Sequence, residues 1–276
     1  MSTYVMSDFH GRHDLFMAML DKIGFSESDT LYILGDIADR GPSGIETYLY
    51  IMEKKNIFLI AGNHELLFLD ADKKYRSCLL PAAFYYSDEW MLWRRNGGMD
   101  TWQAYRALRK PVREKLIDYL ENAILAVPNL IIGNRNFYLC HSTHAERYLE
   151  MPLYLKDAKP EEAFRIVWDR SYTEGGSFGR LRASMEYHDL YTKYPPKTVM
   201  VFGHTPTSFL NCRGCDGRGR IWHGRQGHLI DIDCGCAVRV PKYAMLGCLR
   251  LEDMKEFYIS GSYPEKHRKI SGSGQK

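Results

Sequence analysis

The 276-residue chain has no apolar run approaching the roughly 20 residues that a membrane-spanning helix needs. Its first apolar stretch, Thr3-Tyr4-Val5-Met6, is cut short by Ser7 and Asp8, and no basic segment precedes it. A secretory signal is therefore not expected, and the expected address is cytoplasmic with no membrane partner. Net charge is also scarce. A formal +3 gives no ground for a specific nucleic-acid partner, which would need basic residues gathered on one face. The seven cysteines (Cys78, Cys140, Cys212, Cys215, Cys234, Cys236 and Cys248) are odd in number, which argues against a disulfide framework. Cys212-x-x-Cys215 followed by Cys234-Gly-Cys236 leaves a structural zinc site open, although reduced thiols packed in a loop and on a strand are the preferred reading. Repeats and convincing linkers are missing too. One domain over residues 1–260 is expected, with 261–276 as a polar, frayed tail.

What the chain does have is a composition that can bury a core, with 45% hydrophobic and 26% charged residues. Its first third reads as strand, loop, helix in repetition. Strands are expected at Tyr4–Met6, Thr30–Leu34 and Asn56–Ile60, and helices at Asp14–Ile23 and Ile45–Lys54. That alternation predicts βαβ units and a partly parallel sheet. Residues 66–122 turn helical, aromatic and charged. Their run Phe84-Tyr85-Tyr86 with Trp90 and Trp93 reads as a helical cap buried against the sheets rather than as a substrate groove. Strand signals return at Leu130–Ile132, Phe137–Cys140, Thr198–Phe202, His228–Ile232 and Ala244–Leu251, while Arg147–Pro196 is polar and aromatic with no element assigned.

Polar motifs sit just after the expected strands, where ligands bind in α/β sheets. Asp8 and His10 follow the first, Gly35-Asp36-Ile37-Ala38-Asp39-Arg40-Gly41 the second, and Gly62-Asn63-His64-Glu65 the third. His141 ends one later strand, and Gly203-His204-Thr205 follows another. Carboxylate, imidazole and amide donors in this mixture suit Mn, Fe or Zn. A carboxylate such as Asp36 can give one oxygen to each of two metals, which together lower the pKa of a shared water. His13 and His144 lie near these motifs but read as supporting or helix-face residues; His188, His223, His228 and His267 read as surface histidines.

The ordered set resembles the phosphoprotein phosphatase family of calcineurin-like metallophosphoesterases, over roughly residues 3–240. Weaker echoes are Trp93 to Thr101 with its Asn96-Gly97-Gly98, Trp168-Asp169-Arg170 and Ile230-Asp231-Ile232-Asp233-Cys234-Gly235. The resemblance implies an α/β sandwich of two mixed β-sheets flanked by helices, with a helical insertion. It implies one metal held by Asp8, His10 and Asp36 and a second by Asp36, Asn63, His141 and His204, with Mn the ion expected to support activity in vitro. It makes His64 the general acid, Asp39 its orienting carboxylate, and Arg40 a phosphate-binding residue. Arg170 is the preferred second phosphate-binding arginine, over Arg147, Arg165, Arg180 and Arg182. In-line attack by a metal-bridging hydroxide would follow, without a phosphoenzyme.

The segment His141-Ser142-Thr143 departs from the eukaryotic protein phosphatases, which carry a glycine pair after that histidine. The likeness is closer to the bacterial and phage branch, which contains serine/threonine phosphatases and symmetric diadenosine tetraphosphate hydrolases. The first expectation is a serine/threonine protein phosphatase acting on a phosphorylated protein. The alternative is a symmetric dinucleoside polyphosphate hydrolase acting on a small phosphate-containing substrate. A third reading, a non-catalytic phosphate-binding protein, predicts a missing ligand or proton donor, and every expected position is filled.

Overall fold

The structure, a computed structural model, describes residues 1–173, 176–210, 219–237 and 244–261. The chain opens with β1 (Thr3–Met6), α1 (His13–Ile23), β2 (Thr30–Ile33), α2 (Gly44–Met52) and β3 (Ile57–Leu59). Helices α3 (Asn63–Ser77), α4 (Pro81–Phe84), α5 (Asp88–Arg95), α6 (Met99–Ala107) and α7 (Lys110–Glu121) follow without an intervening strand. Then come β4 (Ile124–Ile132), β5 (Arg135–Cys140), β6 (Leu153–Tyr154), α8 (Pro160–Trp168), α9 (Gly176–Lys193) and β7 (Val199–Phe202). The chain closes with β8 (Trp222–Gly224), β9 (Leu229–Asp231), β10 (Met245–Arg250) and β11 (Lys255–Ser260).

The strands form two mixed sheets, ordered β11-β10-β1-β2-β3 and β6-β4-β5-β7-β9-β8. In the first, β1, β2 and β3 run parallel, with Met6 beside Ile33 and Ile33 beside Leu59. Their carboxyl ends therefore share one edge, and the three polar motifs leave from it. In the second, β5, β7 and β9 run parallel, so Cys140, Phe202 and Asp231 also end together. Val5, Leu34, Leu249, Leu139, Val201 and Ile230 belong to one buried cluster fed by strands of both sheets, which locks them face to face. The link Ala61 N to Ile124 O (2.7 Å) ties the sheets near the motif edge.

Helices α1 to α7 contribute to the core that covers the first sheet; α8 supplies Ala163, Ile166 and Val167, and α9 Leu190, to the core that covers the second. Phe84, Trp90 and Trp93 are buried as expected for a packed cap, whereas Tyr85 and Tyr86 are exposed. Among the described residues no helix is long and apolar enough to cross a membrane. The unassigned stretch 147–196 contains β6, α8 and α9, and the expected strand at Leu130–Ile132 begins earlier, at Ile124. Cys234 and Cys236 are free and buried. Cys212 and Cys215, and the tail from residue 262, lie outside the described residues.

Candidate metal centre

The strand-end loops bring Asp8, His10, Asp36, Asn63, His64, His141 and His204 to one buried place, none of them more than 5% exposed. Backbone geometry shows how tightly the loops are bent to do so. Asp8, His10, Asp36, Asp39, Arg40 and His204 all adopt positive φ, between 43° and 73°. Such conformations cost on the order of 1–3 kcal/mol each for residues with a Cβ, and they persist where the surroundings over-determine them. Gly203 cannot carry a side chain, because a Cβ there would lie 2.3 Å from Asp8 Oδ2. That close approach lets His204 N donate to Asp8 Oδ2 (3.1 Å), one direct link between the two sheets' loops.

Asp36 stands in the middle. Its Oδ2 lies 3.6 Å from His10 Nε2, and its Oδ1 lies 3.5 Å from His141 Nε2. Two groups of potential ligand atoms, His10/Asp36/His64 and Asp36/His141/His204, share this carboxylate. His10 Nδ1 donates to Ala38 O (3.1 Å) and His141 Nδ1 to Leu34 O (2.5 Å), which leaves each Nε2 lone pair facing inward. Around His141 Nε2 stand Asn63 Oδ1 at 3.0 Å and His204 Nδ1 at 3.2 Å. Asn63 Oδ1 and the His141 Nε2 lone pair are acceptor facing acceptor, and Asp8 Oδ1 and His204 Nε2 are buried without a hydrogen-bond partner. A cation resolves both defects, so the residues present fit a pair of metal ions.

Charge balance points the same way. Burial, then the neighbouring Asp8 and Glu65, pushes the Asp36 carboxyl well above the ordinary range, and burial raises Asp8. Burial, followed by the proximity of other cationic groups, holds His10 and His204 well below the usual imidazole value and so neutral, the form that ligates.

His64 is anchored differently. Its Nδ1 pairs with Asp39 Oδ2 at 2.6 Å, a carboxylate rather than a carbonyl, and the same oxygen accepts from Trp93 Nε1 at 2.6 Å. Burial pushes Asp39 up to about 7, against the lowering effects of Thr101, Trp93 and Arg40. Burial and then Arg40 hold His64 well below its ordinary value. Arg40 reaches the cluster from an exposed position, with Nη1 3.0 Å from His10 Nε2 and Nη2 2.9 Å from His64 Nε2. Since His10 Nε2 has one inward lone pair, Arg40 and a cation compete for it. Arg170 is exposed beside the other half of the site and donates to His204 O (3.3 Å) and Thr205 Oγ1 (2.8 Å). Arg147 and Arg165 are instead paired with Glu162 and with Glu146 and Glu186.

A family model for calcineurin-like phosphoesterases matches residues 1–224. The chain belongs to that family. Among curated relatives, the symmetrical bis(5'-nucleosyl)-tetraphosphatase of Wigglesworthia glossinidia brevipalpis is 41% identical over 68 residues, covering 24% of this chain and 25% of that protein. The enzyme of the same name from Delftia acidovorans (strain DSM 14801 / SPH-1) is 30% identical over 144 residues, covering 51% and 44%. This calcineurin-like phosphoesterase thus aligns with a quarter to under half of the length of those relatives. A solved structure provisionally described as a diadenosine tetraphosphatase superposes with a TM-score of 0.58 at 16% identity, covering 94% of this chain and 93% of that one, which speaks for the fold.

Glu65 and Asp233, to which the sequence reading gives no separate role, and Trp93 and Thr101, which it places only in a cap and a weak family echo, support the candidate site. Glu65, fully buried, accepts from Asp36 N (2.9 Å), Ile37 N (3.1 Å), Gly62 N (2.7 Å) and Tyr48 Oη (2.5 Å). Its signal is an acidic residue at the third position of a helix, where it caps the preceding turn. Trp93 and Thr101 hold Asp39 from the helical insertion. Gly98 permits this, since a Cβ there would strike the Trp93 ring at 2.4 Å. Asp233 is a further buried carboxyl, raised by burial and by the nearby Asp8. His144, read as a supporting or helix-face residue, is fully buried and bonds Asp189 Oδ2 (2.7 Å) and Tyr172 Oη (3.0 Å).

Proposed function

We propose that this phosphoesterase hydrolyses dinucleoside polyphosphates by symmetric cleavage, the reading placed second on sequence motifs alone. The observation that carries the chemistry is the shared carboxylate Asp36, with one oxygen toward each of two buried ligand groups. The nucleotide substrate is supported by the curated relatives, both symmetrical bis(5'-nucleosyl)-tetraphosphatases. A serine/threonine protein phosphatase would use the same ligand groups and is the competing reading.

Asp8, His10 and Asp36 would hold one ion, and Asp36, Asn63, His141 and His204 the other. When bound, the ions supply a water of lowered pKa and positive charge against the phosphoryl oxygens. Arg40 and Arg170, exposed at the rim on either side, grip those oxygens with planar guanidinium forks. His64 protonates the oxygen that leaves, and Asp39 fixes its ring through Nδ1 so that Nε2 faces the substrate. After burial, Arg40 is the largest influence depressing His64. A phosphate anion taken by Arg40 offsets that charge and lets His64 hold the proton it delivers.

The test is manganese-dependent turnover of diadenosine tetraphosphate, p-nitrophenyl phosphate and a phosphothreonine peptide, with His64→Asn beside the wild type. Diadenosine tetraphosphate is expected to give the highest kcat/KM, releasing two molecules of ADP. His64→Asn is expected to lower kcat by about 10²–10⁴-fold on the phosphothreonine peptide, whose alkoxide needs the proton most, and by less on p-nitrophenyl phosphate. Preference for the phosphopeptide would reverse the substrate assignment, and no metal-dependent turnover on any of the three would remove the hydrolytic reading.

A further inference from the structure

Beside the metal centre, and sharing with it only Arg170, a cleft of about 310 Å³ is lined by Phe164 and Trp168 of α8, by Asp169 and Arg170 just after it, and by Arg182 of α9. It begins at a proposed ligand. The Trp168 ring meets the His204 ring edge-on, with centroids 5.9 Å apart, and Arg170 holds the His204 carbonyl. From there the wall runs outward to Phe164, stacked on Trp168 at 5.9 Å with 29° between the planes.

Phe164 is 59% exposed, unlike Ala163, Ile166 and Val167 of the same helix, which are buried. Its ring is thus presented to the cleft and to solvent rather than to the core. The charges facing it are two arginines against one carboxylate, with Arg182 Nη2 3.3 Å from Asp169 Oδ2. Arg165, the remaining lining residue, is turned to His144 O (2.6 Å) and to Glu186 (3.2 Å). An aromatic shelf with two guanidinium groups, one already beside the reacting centre, matches a ligand with a flat π-face joined to anionic phosphates.

We infer that this cleft is the subsite for the nucleotide half of the substrate that lies beyond the attacked phosphorus. Its base rests on the Phe164–Trp168 shelf, and its phosphates run between Arg170 and Arg182. This rests on the dinucleoside polyphosphate reading above. It assigns Phe164 and Arg182 to specificity, since p-nitrophenyl phosphate has no second half to place there.

The test uses Phe164→Ala, Phe164→Leu and Arg182→Gln in the full chain, with thermal melts as the folding control. Phe164→Leu keeps apolar bulk while removing the π-face. Each variant is expected to lower the ratio of kcat/KM for diadenosine tetraphosphate over p-nitrophenyl phosphate about tenfold, chiefly through KM. In calorimetry, ADP is expected to bind the wild type and to bind each variant several-fold more weakly. Unchanged ratios in folded variants, or ADP binding indifferent to all three substitutions, would overturn the subsite. If ADP binding depends on Phe164 and Arg182 while diadenosine tetraphosphate is not cleaved, the subsite stands and the hydrolytic assignment falls.

Discussion

Glu65 accepts hydrogen bonds from groups that belong to three separate segments: the β2 loop, the β3 loop and α2. Each donor is buried with it, so losing the carboxylate strands several groups at once. Glu65→Gln places an NH2 where an acceptor is required, and we expect a stability loss of about 3 kcal/mol. Asp36 and Asn63 ride on the two loops that Glu65 joins, so metal-dependent turnover should fall as well. Urea unfolding and a manganese assay check both, and a variant as stable and active as the wild type would remove Glu65 from this role. At this scale the residues that the fold gathers into the candidate metal centre were legible, because strand-end motifs carry their chemistry within a few residues. Glu65 was legible as part of such a motif, but not its partners, which lie 29 and 17 residues away at Asp36 and Tyr48. The Asp39–Trp93 bond, spanning 54 residues, leaves no local signature at all.

Among the elements, β1 to β3 with α1 and α2 could be read because apolar periodicity and strand-end motifs agree. Helix α8 also carried readable signals, with Pro160 at its start and Glu161 and Glu162 in the first turn, opposite a buried stripe. Among its described residues helix α9 shows no comparable stripe, and β11 is a sheet-edge strand with only Ile259 buried, so neither pattern stands out. Beyond Leu190 in the core, polar contacts hold α9. Its Asp189 bonds His144, its Glu186 bonds Arg165 of α8, and Lys193 pairs with Asp189. Burial pushes His144 down to about 4, with Arg165 and Lys193 acting in the same direction and Asp189 opposing. The unfolded chain takes up this proton near 6.5, so between pH 6.5 and 4 the unfolded state binds more protons than the fold. Stability contributed by neutral His144 is complete above that window and declines as pH falls through it, by on the order of 3 kcal/mol. His144→Gln, which cannot titrate, should lose less stability than the wild type between pH 7 and pH 4.5 in urea unfolding. Other acid-sensitive groups are common to both proteins, so parallel losses would dismiss His144 as the cause.

At the scale of the molecule, the candidate metal centre is where the two sheets become one structure. The β1, β2 and β3 loops supply Asp8, His10, Asp36 and Asn63, while the β5 and β7 loops supply His141 and His204. The proposed ligand set is therefore assembled only in the folded chain. Ions that bind the fold and not the unfolded chain stabilise it by mass action, by about 2.7 kcal/mol at a free concentration 100 times Kd. Without them, Asp8, Asp36 and Asp233 are buried carboxyls raised by burial, with the charge of Asp8 adding to the rise at Asp36 and Asp233. Manganese at about 100 times Kd should thus raise the unfolding free energy by about 2.7 kcal/mol, and EDTA should reverse the gain. Asp36→Asn removes the charge on which both ligand groups converge, so it should abolish most of that increment. In chelator the same variant should be no less stable than the wild type, because one of the crowded carboxylates is gone while the amide oxygen can still accept from His64 N. A variant whose melting temperature still rises with manganese as the wild type's does would show that Asp36 is not the shared ligand, and would divide the centre into two independent sites.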